Sequence, residues 1–204
     1  TWKTNKIPDK YKILVDSIKK NNPEFKYILI TDQDMENLVK NKYPEYYNKF
    51  SILKKKIMKI DFIRCLAIYH YGGFYFDLDM SINKNLSPLC KYNAIIPIEL
   101  YNNTDKILKK QNMNYLLGNY ALAGSRGNKF FKLVCENILN ERIDKKYIPK
   151  NEQSEVYYLS GPVMLSQSYL DYNKKKSIKL LEHPNKKHAS FGDYGSHHMF
   201  GSWK

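Results

Sequence analysis

Two aspartates one residue apart, Asp77 and Asp79, follow an aromatic run near the middle of the chain. The run Phe74–Phe76 is typical of a strand, in which side chains two apart point to the same face. We therefore expect Asp77 and Asp79 to share one face, with Phe76 and Leu78 on the other. Neighbouring like charges repel unless a cation compensates them, and carboxylate oxygens suit Mg²⁺ or Mn²⁺. The spacing predicts a divalent metal site; the alternative is a pair of acids that only caps a turn.

A second charged pair, Asp61 and Arg64, precedes the aspartates in a run with apolar residues at helical spacing. This spacing predicts a helix from Ile57 to Tyr71. Residues three apart are neighbours on a helix, so Asp61 and Arg64 should lie side by side. Gly72–Gly73 then predicts a left-handed C-cap, where the backbone can approach another group closely. The alternative for Asp61 and Arg64 is a surface ion pair of little energetic value.

The residues from Asp61 to Asp79 follow the order D-x-x-R, A-x-Y-x-Y-G-G-x-Y-x-D-x-D. This order resembles the sugar-binding region of glycosyltransferases with a DXD motif. The resemblance is closest to the Och1-like family of retaining hexosyltransferases, and more distant to the glucosylating clostridial toxins. It implies an α/β fold of the GT-A (Rossmann-like) type, with a mixed central sheet flanked by helices. It also implies metal-dependent transfer of a hexose from a nucleotide sugar, GDP-mannose or a UDP-hexose, to a hydroxyl acceptor on a glycan, lipid or protein, with retention.

The resemblance gives the charged residues roles in that reaction. Asp79 would hold Mn²⁺ or Mg²⁺ against the diphosphate of the donor, and Asp77 would hold ribose or a metal-bound water. Arg64 would hold the sugar or a phosphate oxygen, because its planar fork suits such acceptors. Asp61 would accept hydrogen bonds from sugar hydroxyls. No residue stands out as a covalent nucleophile, so front-face attack by the acceptor hydroxyl is the expected route to retention.

The N-terminal part contributes two further residues to this interpretation. Thr1-Trp2-Lys3 resembles the tail of the family's first-strand motif, which implies that the sequence starts just after that strand and that Trp2 lies near the nucleotide base. Packing of Trp2 is the alternative. Thr31-Asp32 resembles the end of the second strand, where Asp32 would touch the nucleoside. Asp32 is equally suited to cap a helix from Asp34 to Lys40.

The C-terminal part contributes a turn and a histidine-rich tail. Ser160-Gly161-Pro162 resembles the family's Thr-Gly-Pro turn on the acceptor side, and Gly-Pro is also an ordinary helix start. The segment 195–203, GSHHMFGSW, resembles the family's His-His-x-x-Gly-Ser-Trp ending. One of its two histidines would complete the metal shell, and the spacing does not decide which. The alternative places both on the surface and Trp203 in the core.

The resemblance therefore predicts three overlapping sets of site residues. The catalytic set is Asp61, Arg64, Asp77 and Asp79. The metal set is Asp77, Asp79, His197 and His198. The set that binds the nucleotide sugar is Trp2, Asp32, Asp61, Arg64, Tyr75, Asp77, Gly161, Pro162, Ser202 and Trp203.

The remaining elements are predicted from periodicity and turn residues. We expect helices at Asp9–Lys20, Asp34–Lys40, Lys129–Ile143 and Val163–Tyr172. We expect strands at Tyr27–Thr31, Ala94–Ile98, Tyr115–Ala123 and Ile178–Leu181. We expect helical turns and loop at residues 42–50. We expect a loop that closes over the acceptor at residues 102–112, and a linker at residues 144–155. This alternation indicates an α/β layer structure.

The composition of the chain indicates its domain count, the charge of its ligands and its compartment. A chain of 204 residues with 43% hydrophobic residues predicts one globular domain, and it contains no apolar run long enough to span a bilayer. The net charge of +14 favours anionic ligands without choosing among them. The abundance of lysine, asparagine, isoleucine and tyrosine is typical of an AT-rich genome, which favours a cytoplasmic protein of viral or bacterial origin; the Golgi lumen is expected only if an anchor was removed upstream. Cys65, Cys90 and Cys135 lack metal spacing and are expected to be reduced and buried.

Two other classes of protein compete with this interpretation. The strand before Asp77 and Asp79 also resembles the first motif of haloacid-dehalogenase phosphohydrolases, with Asp77 as nucleophile. That reading requires a second acidic motif, which the sequence around Asp193 lacks, and it leaves Asp61 and Arg64 without a role. A basic module that binds nucleic acid or an anionic surface would show steep salt dependence. The sequence contains no nucleic-acid-binding signature, so we expect no nucleic-acid partner.

Overall fold

The computed structural model describes residues 1–102 and 105–201, which form a mixed α/β structure. Its helices are α1 (Asp9–Asn21), α2 (Asp32–Lys42), α3 (Pro44–Ser51), α4 (Lys56–Tyr71), α5 (Lys106–Lys109), α6 (Lys129–Leu139), α7 (Glu152–Leu159) and α8 (Pro162–Asp171). Its strands are β1 (Gly73–Phe76), β2 (Met80–Ile82), β3 (Ala94–Leu100), β4 (Leu116–Leu117), β5 (Ala121–Gly124), β6 (Ile178–Leu181), β7 (Ser190–Phe191) and β8 (Gly195–His197).

The strands form two sheets. In the larger sheet the order is β1-β5-β3-β4, with β6 paired to β3 in parallel and the other pairs antiparallel. The smaller, antiparallel sheet has the order β2-β8-β7. The expected mixed sheet flanked by helices is confirmed. The turn between β1 and β2 connects the two sheets, so it lies where their ends meet.

Helix α4 is the central helix of the core. Phe62, Ile63 and Leu66 are completely buried, and the helix contacts α6, β1 and β5. The predicted helix Ile57–Tyr71 agrees with the observed one to within a residue. Because α4 is covered on several sides, its polar residues Asp61 and Arg64 are buried as well, each 3% exposed. They are therefore not a surface ion pair.

Two glycines end α4 as predicted, although Gly72 does not adopt the left-handed helical conformation that was expected. Gly72 is the C-cap with φ 72° and ψ −170°, a region that is essentially restricted to glycine. A Cβ there would lie 2.8 Å from the backbone nitrogen of Arg126. Gly73 also has a positive φ of 88°, but nothing lies within 4 Å of the place that its Cβ would take.

This difference gives a stability prediction. The Gly72→Ala variant should lose about 1–3 kcal/mol of unfolding free energy, because both its backbone angles and the contact with Arg126 become unfavourable. Gly73→Ala is the matched control and should lose less, since only its φ is strained. Urea denaturation measures both. Equal losses in the two variants would show that the close approach of Arg126 carries no energetic weight.

Other predictions of local structure were wrong. Residues 27–31 form no strand; among the residues that the structure describes, their sheet pairing is limited to a parallel bridge between Trp2 and Thr31, and Ile28 is 48% exposed. An apolar run forms a strand only where a neighbour takes up its N–H and C=O groups. The predicted strand 115–123 is divided into β4 and β5 around residues 118–120.

Three predicted irregular regions contain helices. Residues 42–50 lie largely in α3, the 102–112 loop contains α5, and the 144–155 linker contains a 3₁₀ turn (Lys145–Tyr147) and the start of α7. Residues 103 and 104 of the 102–112 loop lie outside the described residues. Among the cysteines, Cys65 and Cys135 are buried, but Cys90 is exposed, contrary to expectation; all three are free thiols. No helix within the described ranges is long and apolar enough to cross a membrane.

Candidate active site

Asp77 and Asp79 lie in the turn between β1 and β2, not on a strand. Strand β1 ends at Phe76, and the turn is fixed by the Asp77 N–H, which donates to the carbonyl of Tyr120 at 2.8 Å. Phe76 packs against Phe191, as expected for a core residue. Leu78, expected on the same face as Phe76, instead lines the cleft together with both aspartates, because a turn does not preserve the alternation of a strand.

Asp79 is held by the C-terminal segment. Its Oδ1 lies 3.1 Å from Nε2 of His197, and its Oδ2 accepts a hydrogen bond of 2.9 Å from the Phe200 N–H. Burial acts to raise the pKa of Asp79, but these two contacts outweigh it and lower the pKa below the usual range. The pairing of Met80 with His197 across β2 and β8 brings the imidazole to the carboxylate. Asp79 is therefore ionised at neutral pH.

Asp77, Asp79 and His197 form a group that could hold a metal ion. One ligand atom of each lies within 4.8 Å of the others. Carboxylate oxygens and an imidazole nitrogen are a donor set that fits Mn²⁺. His198 is exposed and its ring packs near Phe200, at 5.7 Å between centroids. His198 contacts Asp79 through its backbone N–H, which donates to the Asp79 carbonyl at 2.9 Å, so of the two imidazoles it is that of His197 that lies beside the aspartate carboxylates.

A buried ion-pair network lies behind this group. Arg64 contacts Asp61 at 3.2 Å and Asp77 at 3.3 Å, each through Nη2 and an Oδ1 atom. Tyr75 lies beneath, and its hydroxyl donates to Asp77 Oδ1 at 2.7 Å. Burial raises the pKa of Asp61 to about 6, although the charge of Arg64 acts to lower it. Asp61 thus stays mostly ionised near pH 7, and two carboxylates, those of Asp61 and Asp77, share one guanidinium.

Two residues that the sequence interpretation left out of the site complete this network. Asn119 donates from Nδ2 to Asp61 Oδ1 at 3.0 Å, and its carbonyl accepts from Arg64 Nη1 at 2.6 Å. Ser160 donates from Oγ to Asp61 Oδ2 at 2.7 Å. Ser160 directly precedes the predicted Gly161-Pro162 turn, and Asn119 lies in the break between β4 and β5. The turn that follows Ser160 and the break that contains Asn119 were the features that could have indicated a place for these two residues in the site.

The described groups that border one cleft of about 610 Å³ are Asp61, Arg64, Asp77, Asp79, Asn119 and His197. The cleft is also lined by four residues that sequence analysis had assigned to substrate binding: Trp2, Asp32, Gly161 and Pro162. Tyr75 does not line this cleft, but its hydroxyl donates a hydrogen bond to Asp77, which does. Ser202 and Trp203 lie outside the described residues.

The local structure around these four residues decides some of the open alternatives. Trp2 packs against Tyr11, with ring centroids 5.2 Å apart, while also lining the cleft. Asp32 is not a helix cap: it is the first residue of α2, Thr31 is the N-cap, and Asp32 pairs with Lys56. Gly161 and Pro162 begin α8 as N-cap and first residue. The helix-start interpretation is therefore confirmed, and it places both residues at the cleft.

Comparison with known proteins identifies relatives of the chain. Residues 8–102 match the family described as glycosyltransferase sugar-binding region containing DXD motif. Two relatives come from Schizosaccharomyces pombe. Inositol phosphoceramide mannosyltransferase 3 is 26% identical, covering 90% of this chain and 47% of its own length. Inositol phosphoceramide mannosyltransferase 2 is 35% identical, covering 86% of this chain and 46% of its own length. The chain thus spans about half the length of these relatives.

A solved structure supports the fold. The PaToxG glycosyltransferase superposes with a TM-score of 0.52 at 14% sequence identity, covering 87% of this chain and 70% of that one. At this level of identity the similarity concerns the fold alone, which is the GT-A type expected from the sequence.

Proposed function

Because the chain belongs to the glycosyltransferases whose sugar-binding region contains a DXD motif, we propose that it transfers a hexose from a nucleotide sugar to a hydroxyl acceptor. The observation that carries this proposal is the convergence of Asp77, Asp79 and His197 within 4.8 Å, at a cleft that also holds the buried Asp61–Arg64 pair. The names of the relatives favour mannose as the hexose and an inositol phosphoceramide hydroxyl as the first acceptor to test; glycan and protein hydroxyls are the others.

The charge of the site supports the proposal that a cation takes part. Asp61 and Asp77 share the one guanidinium of Arg64 and Asp79 adds a third carboxylate, so the cluster is negative, and a nucleotide diphosphate is negative too. A divalent ion held by Asp77, Asp79 and His197 would offset both charges and stabilise the departing diphosphate. Tyr75 and Arg64 orient Asp77, and the Phe200 amide orients Asp79. Mn²⁺ fits the imidazole ligand better than Mg²⁺ does.

The buried pair of Asp61 and Arg64 would bind the sugar of the donor. Arg64 lines the cleft with its guanidinium held by Asp61, Asp77 and the Asn119 carbonyl, and its planar fork would hold the sugar or a phosphate oxygen. Asp61 is oriented by Ser160 and Asn119 and would accept hydrogen bonds from sugar hydroxyls. Neither residue is placed as a covalent nucleophile, and we propose retention through front-face attack by the acceptor.

Donor turnover followed by NMR tests this function. The protein is incubated with Mn²⁺ and, one at a time, GDP-mannose, UDP-glucose and UDP-galactose, and the anomer released or transferred is identified. We expect turnover of GDP-mannose with retained configuration. An inverted product would contradict the route proposed. Release of phosphate from p-nitrophenyl phosphate, with no sugar nucleotide consumed, would instead support the phosphohydrolase reading, which the relatives do not favour.

The two neighbouring histidines provide a matched pair of variants. His197→Ala should weaken Mn²⁺ binding by about 10-fold or more, because a ligand is lost and the partner of Asp79 is removed. His198→Ala should leave Mn²⁺ binding unchanged, since its side chain is exposed and apart from the aspartates. Isothermal titration with Mn²⁺ measures both. Equal effects, or a larger one at His198, would refute the assignment of His197.

A further inference from the structure

One acidic residue at the cleft has no role in the site described so far. Glu99 belongs to β3 and its side chain lines the cleft. Its Oε2 is buried without a hydrogen-bond partner in the part of the chain that the structure describes. It belongs neither to the group that could hold a metal nor to the Asp61–Arg64 network. A buried polar atom without a partner is rare in folded proteins and calls for an explanation.

The sheet directs this side chain into the cleft through a β-bulge. Ile98 pairs with Leu117, but Leu100 pairs with Leu116, so the register shifts by one residue and Glu99 is the extra one on β3. A bulge bends its strand and re-aims the bulged side chain. The preceding residues of β3, from Ala94 to Ile98, are all buried. Glu99 is therefore the point at which a core strand presents an acid to the cleft.

The surroundings of Glu99 place it on the side of the cleft where the donor would bind. Burial raises the pKa of Glu99 to about 7, while the charges of His197 and Arg64 act in the opposite direction and Asp77 reinforces the rise. These three residues are the ones assigned to the ion, the diphosphate and the sugar. The transferred hexose is bonded directly to that diphosphate, so a carboxylate among these groups would meet the hexose before it met the acceptor.

We propose that Glu99 is a substrate-binding residue whose carboxylate accepts a hydrogen bond from a hydroxyl group of the donor hexose. The inference rests on the proposed function and adds to it the residue that distinguishes the sugar from the nucleotide. A sugar hydroxyl would supply the donor that Oε2 lacks. The acid would therefore favour a nucleotide that carries a hexose over the nucleotide alone.

Comparison of two ligands tests this role. Isothermal titration in the presence of Mn²⁺ is carried out with GDP-mannose and with GDP, using the wild type, Glu99→Gln and Glu99→Leu. We expect both variants to bind GDP as the wild type does. Glu99→Leu should bind GDP-mannose about 10-fold more weakly because it loses the acceptor, and Glu99→Gln should lose less because its amide oxygen still accepts a hydrogen bond. Glu155→Gln is the control: its carboxylate pairs with Lys54 away from the cleft, and it should change neither affinity. Unchanged binding of GDP-mannose in the Glu99 variants would overturn the proposal.

A measurement without substrate separates this proposal from the proposed function. A structural acid stabilises the fold, whereas an unpartnered substrate-binding acid costs stability. We therefore expect the melting temperature of unliganded Glu99→Gln to equal or exceed that of the wild type, and a clear decrease would overturn the assignment. If the wild type bound no sugar nucleotide at all, the proposed function would fail, whereas the melting temperature would still decide between a structural and a ligand-binding Glu99.

Discussion

Exchange of Asp79 for asparagine is expected to abolish the effect of Mn²⁺ on nucleotide binding and to lower donor turnover by about 100-fold or more, the scale seen when one electrostatic stabiliser of a transition state is removed. Asp79 is the acid held ionised by His197 and the Phe200 amide, so the amide variant loses the charge that a cation requires. Thermal shift with Mn²⁺ and GDP, combined with the turnover assay, measures both effects.

A second aspartate serves as the control. Asp193 is an exposed acid paired with Lys84 at 2.6 Å, and Asp193→Asn should keep both the shift and the turnover. The Asp79 variant itself should still fold, because asparagine can accept one of the two hydrogen bonds. If the shift with Mn²⁺ and GDP persisted in Asp79→Asn, the ion would not be held by this aspartate.

Exchange of Arg64 for methionine is expected to lower the free energy of unfolding by about 3–5 kcal/mol, because it leaves buried Asp61 without its counter-charge. The variant should also lose turnover through the loss of the positive charge under the donor. Arg64→Lys separates the two effects: it keeps the charge but not the planar fork that joins Asp61, Asp77 and Asn119. We expect it to be more stable than the methionine variant and still poorly active. Urea denaturation and the turnover assay provide the data.

A surface arginine gives the reference value. Arg142 pairs with Asp171 at 2.9 Å and its side chain is 51% exposed, so Arg142→Met should cost only about 0–1 kcal/mol. Similar losses at Arg64 and Arg142 would mean that the buried network does not contribute to stability, and that its role is to be sought in substrate binding alone.

The parts of the fold that local sequence controls were predicted well. Helix α4 has a long apolar periodicity and a pair of glycines that cannot continue it, so its limits follow from residues close together in the chain. The side-by-side placement of Asp61 and Arg64 follows from the same periodicity. Residues 27–31 have the composition of a strand, but within the described part of the chain they pair with a neighbour at a single bridge, to Trp2, and composition alone does not supply a paired strand.

The parts of the site that depend on distant contacts were not predictable. The choice between His197 and His198 is made by the register of β8 on β2, which pairs His197 with Met80. Asn119 and Ser160 reach Asp61 across 58 and 99 residues of chain, and local sequence does not specify a partner at such separations. Glu99 enters the cleft through a one-residue register shift that no local pattern in β3 signals.

The most direct test of the account is anomalous diffraction, at the manganese edge, from crystals of this protein soaked with Mn²⁺ and GDP. We expect a manganese peak bonded to Asp77, Asp79 and His197, with the diphosphate of GDP on its open side. Asp79 still hydrogen-bonded to His197 and the Phe200 amide, with GDP bound and no manganese peak beside these three residues, would contradict it.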